Sequence, residues 1–192
     1  TANRASRADG IASKYIPNPA LLAKRLEQTG KKWTLAKYSI TCISIMLIIV
    51  ILCLIKGAPI YFGLLAGSAV GLFLPHMIVS SQIKKRIIKF NTRFPDAIEL
   101  LVRGLRSGLP ITETMNVVAT ELPGPVGEEF KLVNDRVKVG RTMDEALQVT
   151  ADRLDMPEFS FFCITLAIQR ETGGNLAETL ANLADVLRKR AQ

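Results

Sequence analysis

Two apolar runs, Leu35–Ile55 and 60–80, stand almost back to back, separated only by Lys56-Gly57-Ala58-Pro59. Each is about 21 residues, and at about 1.5 Å per residue a helix of that length spans roughly 30 Å, the thickness of a bilayer's hydrocarbon core. The stretch 40–55 carries only Thr41 and Ser44 as polar side chains. Soluble helices so uniformly apolar are rare, which counts against a buried hairpin in a soluble protein. A cleaved signal peptide has a shorter apolar core close to the N-terminus, whereas more than thirty residues precede the first run. The short connection leaves no room for a domain. It predicts an antiparallel transmembrane hairpin whose two ends emerge on one side.

Charge assigns that side. Residues 1–90 hold 13 Lys and Arg against Asp9 and Glu27, a balance of +11, while residues 91–192 hold 12 against 15 acids, a balance of −3. The excess flanks the apolar runs: Lys24, Arg25, Lys31, Lys32 and Lys37 before or at the start of the first, Lys84, Lys85, Arg86 and Lys89 after the second. The tip has Lys56 alone. By the positive-inside rule both ends of the hairpin are cytoplasmic, and so is the domain that follows. Clusters of this kind attract anionic membrane lipids at about 1 kcal/mol per residue. Nucleic acid is not an expected partner, because no aromatic residues interleave with the charges and the folded part is acidic.

Cys42, Cys53 and Cys163 have neither CxxC nor metal-ligand spacing and read as buried thiols in a reducing compartment. His76, the single histidine, follows Pro75 near the cytoplasmic end of the second run, where an interfacial ring is the plainer reading than a proton relay. The chain starts at Thr1 and stops straight after a helical pattern, so a fragment of a longer protein is expected. Gly63, Gly67 and Gly71 recur at four-residue intervals in the second run. Small residues at that spacing let another helix backbone approach, either the first run or another subunit.

Before the hairpin, residues 1–17 are polar, basic and without period. A short amphipathic helix is expected from Asn18, with Pro19 in its first turn, Leu21, Leu22 and Leu26 on one face, Gly30 as its stop and Trp33 as an interfacial anchor. After the hairpin, apolar residues recur at i, i+4, i+7 and i+11. The stripes are Phe94, Ile98, Leu101, Leu105; Ile111, Met115, Val118, Leu122; Val126, Phe130, Val133, Val137; Met143, Leu147, Thr150, Leu154; and Leu176, Leu180, Leu183, Leu187. Between the last two, 158–172 is apolar nearly all round and is expected to be the most buried helix. Glycine and proline breaks separate six helices, and capping boxes are readable at Thr142…Glu145, Asp155…Glu158 and Asn175…Glu178. No strand alternation is present. The fold class is all-α: a transmembrane helical hairpin followed by a cytoplasmic six-helix bundle of three helix pairs.

A weak repeat underlies the bundle. Gly108, Gly140 and Gly173 lie 32 and 33 residues apart, each followed by Glu at the fifth position and Met or Leu at the seventh. A tetratricopeptide solenoid has a similar period, but its Trp, Tyr and small-residue positions are missing here. No catalytic site, cofactor site or metal site emerges. Residues 91–192 contain no histidine, and Glu128-Glu129 and Asp144-Glu145 fall in first helical turns, where carboxylates favour the helix dipole. Gly173-Gly174-Asn175 lacks the Lys-Ser/Thr of a nucleotide loop and serves as a cap. The residues alone describe a membrane-anchored helical interaction module.

Four stretches carry a resemblance to a known family: Phe94-Pro95-Asp96-Ala97; Leu105-Arg106-Ser107-Gly108; Gly140 with Glu145-Ala146-Leu147; and 169–176, Gln-Arg-Glu-Thr-Gly-Gly-Asn-Leu. Together they resemble the F domain of type II secretion and type IV pilus inner-membrane platform proteins. The ending Leu187-Arg188-Lys189-Arg190 is most similar to the TadB branch of tight-adherence (Flp, type IVc) pilus systems, with a TadC-type or general secretion platform sharing much of the pattern. The resemblance implies a non-enzymatic, multi-pass protein of the bacterial inner membrane. It implies assembly with a hexameric secretion ATPase, a TadC-like second platform subunit and pilin, as a homo- or hetero-oligomer.

The expected organisation is a basic segment 1–33, a hairpin 34–81, a basic linker 82–93 and a six-helix F-type domain 94–190. Arg103, Arg106, Arg170, Gly173, Gly174 and Asn175 are candidates for partner contact, since charged loops between rigid helices suit docking. The alternatives are a membrane-anchored adaptor or signalling scaffold unrelated to secretion, and an enzyme whose site lies outside this sequence.

Overall fold

A computed structural model describes residues 19–30, 35–57 and 59–191. The polar segment 1–17, the Asn18 cap and the Trp33 anchor lie outside them. Among the described residues eight helices follow in order: α1 (Pro19–Gln28), α2 (Leu35–Ile55), α3 (Ile60–Arg106), α4 (Ile111–Glu121), α5 (Pro125–Lys138), α6 (Met143–Leu154), α7 (Pro157–Thr172) and α8 (Leu176–Ala191). There is no strand among the described residues, and the fold is all-α. The chain divides into two compact units, Thr1–Lys85 and Arg86–Gln192.

In the first unit, α2 and the start of α3 are long and apolar enough to cross a membrane. Only 6% of the window Tyr38–Ile55 is buried, whereas the core helix of a soluble protein would be mostly covered. Ile43, Leu47, Ile51 and Leu54 stand exposed along α2, and Tyr61, Phe62, Leu65 and Phe73 along α3. These are lipid-facing surfaces in composition. α1 buries Leu26 and is followed by Gly30, whose φ of 68° closes the turn. Arg25 Nη1 lies 3.3 Å from His76 Nε2, so the histidine is engaged with α1.

α3 differs from the expected plan. The basic stretch 82–93 is helical, and α3 runs unbroken from Ile60 to Arg106 through Pro75 and Pro95. The physical reason is a periodicity hidden among the charges. Val79, Ile83, Phe90 and Phe94 are all buried at helical spacing, while Lys84, Lys85 and Lys89 occupy the exposed side.

The second unit is built on the last part of α3 with α4 to α8. Every expected stripe is buried or half-buried, with Ile98, Leu101, Val118, Val126, Phe130, Val133 and Leu180 fully enclosed. Five phenylalanines from three helices form its centre: Phe90 and Phe94 of α3, Phe130 of α5, Phe159 and Phe162 of α7. Their ring centroids stand 5.1 to 6.4 Å apart in tilted or edge-on arrangements, the geometry that the ring quadrupole favours. Thr150, the polar member of its stripe, is buried but satisfied. It donates to the Ala146 carbonyl at 3.0 Å and accepts from Arg136 Nη1 at 2.7 Å.

The capping box at Thr142 stands as expected, and the one at Asn175 forms in part, since Glu178 bonds the Asn175 side chain rather than its backbone N–H. Glu145 N donates to Thr142 Oγ1 at 3.2 Å and Thr142 N donates to Glu145 Oε2 at 3.3 Å. Glu178 N donates to Asn175 Oδ1 at 3.2 Å and Asn175 Nδ2 to Glu178 Oε2 at 3.0 Å. The third does not form. Asp155 is the left-handed C-cap of α6 (φ 56°), and Met156 precedes α7 without a side-chain cap. Pro157 in the first turn of α7 needs no N–H partner, which removes part of the demand for a cap.

α7 is also not the most buried helix. Phe159, Phe162, Cys163 and Leu166 point inward, but Phe161, Ile164 and Ile168 are 58%, 57% and 51% exposed. A helix apolar on every side has no sequence signal for which side turns inward. Neighbours decide it, and here the central phenylalanines select the face of Phe159 and Phe162.

Candidate interaction surface

Connections between consecutive helices of the second unit are short, which forces antiparallel neighbours. The side-chain pairs agree. Glu129 near the start of α5 meets Arg153 near the end of α6, and Asp144 at the start of α6 meets Arg170 at the end of α7, 2.8 Å apart. Arg188 near the end of α8 pairs with Glu99 of α3, and a Cβ on Gly104 near the end of α3 would run into Thr114 in the first turn of α4. The turns 107–110, 139–142 and 173–175 therefore lie together at one end of the bundle. Residue 86, where α3 enters, lies at the other.

The three turns are those of the glycine repeat. Gly108, Gly140 and Gly173 have φ of 86°, 96° and 65°, the left-handed region that a side chain disfavours. The fold thus collects the expected contact residues at one end, but not all are free. Arg170 is held by Asp144, and Arg103 stands 3.9 Å from Glu99 one turn back. Arg106 is exposed and makes no side-chain bond among the described residues. Gly173 is the C-cap of α7, Gly174 lies against the Gln169 side chain, and Asn175 caps α8. Three residues that sequence reasoning passed over belong to the same end. Val139 is 81% exposed, and Lys138 and Arg141 beside it make no side-chain bond among the described residues. Their signal in the sequence is the middle glycine of the repeat, Gly140, beside which all three stand.

At the other end lies the polar centre of the bundle. The Glu129 carboxylate is fully buried, although its neighbour Glu128 is 59% exposed. Arg86 Nη2 donates to Glu129 Oε1 at 3.0 Å and to Glu128 Oε2 at 2.8 Å, while Arg153 Nη2 donates to Glu129 Oε2. The dipole account of Glu128-Glu129 holds for the exposed acid only. Glu129 ties α3, α5 and α6 together.

In the first unit, Gly63, Gly67 and Gly71 are buried and face α2. A Cβ on Gly63 would stand 3.2 Å from Cys53 Cβ, one on Gly67 3.2 Å from the Met46 carbonyl and Val50 Cγ2, and one on Gly71 3.2 Å from the Cys42 carbonyl. The stripe is the packing seam between the two apolar helices. Gly67→Leu is therefore expected to cost about 1–3 kcal/mol through overpacking. The check is a lower unfolding temperature of the detergent-solubilised chain, with Ser68→Leu, on a half-buried neighbour, as comparison.

Cys163 is 8% exposed, and burial pushes its thiol up to about 12 from an ordinary 9.0. The folded state thus favours the neutral thiol. Its contribution to stability is complete below pH about 9 and is lost as pH rises toward 12. In a Cys42→Ala/Cys53→Ala background, iodoacetamide at pH 8 is expected to leave Cys163 unlabelled until denaturant opens the bundle. Rapid labelling of the folded chain would contradict its burial.

Among the described residues no group of three or more His, Cys, Asp or Glu side chains is placed to hold a metal ion. A pocket lined by Asn91, Phe94, Glu158, Leu187 and Arg190 measures about 50 Å³, space for one or two water molecules.

A family model described as Type II secretion system (T2SS), protein F, matches residues 97–192. No curated protein and no solved structure matches the chain. The matched half coincides with the helical bundle, apart from the first turns of its α3 segment. The chain belongs to the type II secretion system protein F family, membrane platform proteins of secretion and pilus machinery.

Proposed function

We propose that this chain is an assembly platform subunit of a Tad (type IVc) pilus machine in the bacterial inner membrane. It couples a cytoplasmic hexameric secretion ATPase to the insertion or removal of pilin, beside a TadC-like second platform subunit. The observation that carries the reading is the family match over the bundle, on a chain that also has two helices fit to cross a membrane. The basic residues flanking the hairpin favour a cytoplasmic bundle with Lys56 outside. The ending of α8, Leu187-Arg188-Lys189-Arg190, favours the TadB type.

The test is purification of the full-length protein from its own cells in a mild detergent, with mass spectrometry of what stays bound. Recovery of a secretion ATPase and a second F-domain protein supports the platform reading. Recovery of neither, from membranes whose other complexes survive, would put a membrane-anchored adaptor in its place.

A further inference from the structure

Half of the positive side chains in the bundle are engaged internally. Arg86 and Arg153 hold Glu129, Arg136 holds Thr150, Arg170 holds Asp144 and Arg188 holds Glu99. At the end that gathers the three glycine turns, Arg106, Lys138 and Arg141 are exposed and make no side-chain bond among the described residues. Half of the acids there are engaged. Asp144 is paired with Arg170, Glu145 closes a capping box and Glu178 bonds Asn175, leaving Asp135, Glu113 and Glu171 as exposed carboxylates without a side-chain bond among the described residues. Glu113 sits in the first turn of α4, where the helix dipole offsets its charge.

Val139 stands 81% exposed between two of the free cations, and Leu109 is 40% exposed in the neighbouring turn. A valine side chain so exposed adds little burial to the fold. Apolar tips ringed by charges are how docking surfaces combine a buried anchor with a steering rim.

We propose that this end of the bundle, centred on Val139 and rimmed by Arg106, Lys138 and Arg141, docks an acidic surface of a soluble protein partner. The inference rests on the platform reading for the partner's identity, the secretion ATPase, but not for its chemistry. A lipid surface is the less suitable occupant. The cations lie at the opposite end of the bundle from residue 86, whereas the exposed charges next to the second apolar run in the chain are Lys84, Lys85 and Lys89.

The test uses the full-length protein in its own cells, with the photo-crosslinking residue p-benzoylphenylalanine in place of Val139. The expected product is a crosslink to a soluble protein, its attachment point within an acidic stretch. Arg106→Glu/Lys138→Glu/Arg141→Glu is expected to lower the yield by roughly tenfold or more, since like charges facing each other across an interface are strongly unfavourable. Lys131→Glu/Lys189→Glu, a reversal of exposed cations elsewhere on the bundle, leaves it unchanged. Protection of Cys163 from iodoacetamide checks that the triple variant is folded. If it is not, Val139→Asp alone, read by recovery of the same protein, takes its place.

A crosslink to lipid or to a second copy of this chain overturns the proposal, as does no crosslink at all or a yield that the reversal does not move. If the charge-dependent partner is a soluble protein other than a secretion ATPase, the docking surface stands and the platform reading falls. If the ATPase copurifies but the reversal leaves its recovery intact, the platform reading stands and the docking surface falls.

Discussion

Glu129→Ala is expected to lower the stability of the bundle by about 3–5 kcal/mol, the usual cost of removing one member of a buried ion cluster. Its carboxylate is fully enclosed, and Arg86 and Arg153 are only 14% and 15% exposed. Without the acid, two guanidiniums face each other with little water to solvate them. Arg86 keeps Glu128, which is 59% exposed and screened by solvent, so compensation is partial. Against a typical total of about 5–15 kcal/mol for a domain, the loss is a large share.

In the Cys42→Ala/Cys53→Ala background, labelling of Cys163 across a urea series measures this opening without interference from the apolar helices. Glu129→Gln keeps the shape and the acceptor oxygen and is expected to cost less. Replacing all three members by apolar residues, Arg86→Met/Glu129→Leu/Arg153→Leu, is expected to recover most of the stability. If Glu129→Ala proves as mild as Glu128→Ala, the cluster does not hold α3, α5 and α6 together.

The second large effect lies in the aromatic centre. Phe159 is fully buried, with rings of Phe90, Phe94, Phe130 and Phe162 at centroid distances of 5.8 to 6.4 Å. Truncation to alanine removes burial and leaves a cavity that four other rings cannot easily fill, at a cost of about 3–5 kcal/mol. Phe161→Ala, two residues along and 58% exposed, is expected to stay within about 0.5 kcal/mol. The contrast tests the rotation of α7 directly. Equal losses at the two positions would mean that α7 presents a different face to the core.

That contrast also marks where sequence reasoning stops. The stripes of α4, α5, α6 and α8 were legible because each has one apolar side, and an amphipathic helix has only one favourable orientation. α7 has apolar residues all round, so its pattern is silent on orientation. Which side turns inward depends on Phe90, Phe94 and Phe130, residues remote in the chain. Likewise the charges between 82 and 93 masked a periodicity continuous from Val79 to Phe94. A composition shift was read as a linker where the backbone needs none.

The candidate surface divides in the same way. Arg106 and the 173–175 turn were named from local features, a charge or a glycine pair beside a helix end. Their gathering at one end follows from antiparallel packing, which also brings Val139 and Arg141 there. Whether a charge is free cannot be read locally at all. Arg170 and Arg106 look equivalent in sequence, yet Asp144, 26 residues away, holds only the first.

The sequence by itself determined the two apolar helices, the all-α class, the number of helices in the bundle and most of their buried faces. All of these follow from periodicity, propensity and capping within a few turns of chain. Only the tertiary structure decided that Glu129 is buried while Glu128 is not, which side of α7 meets the core, and which cations remain free for a partner. Each depends on groups that sequence places far apart and packing brings within a few ångströms.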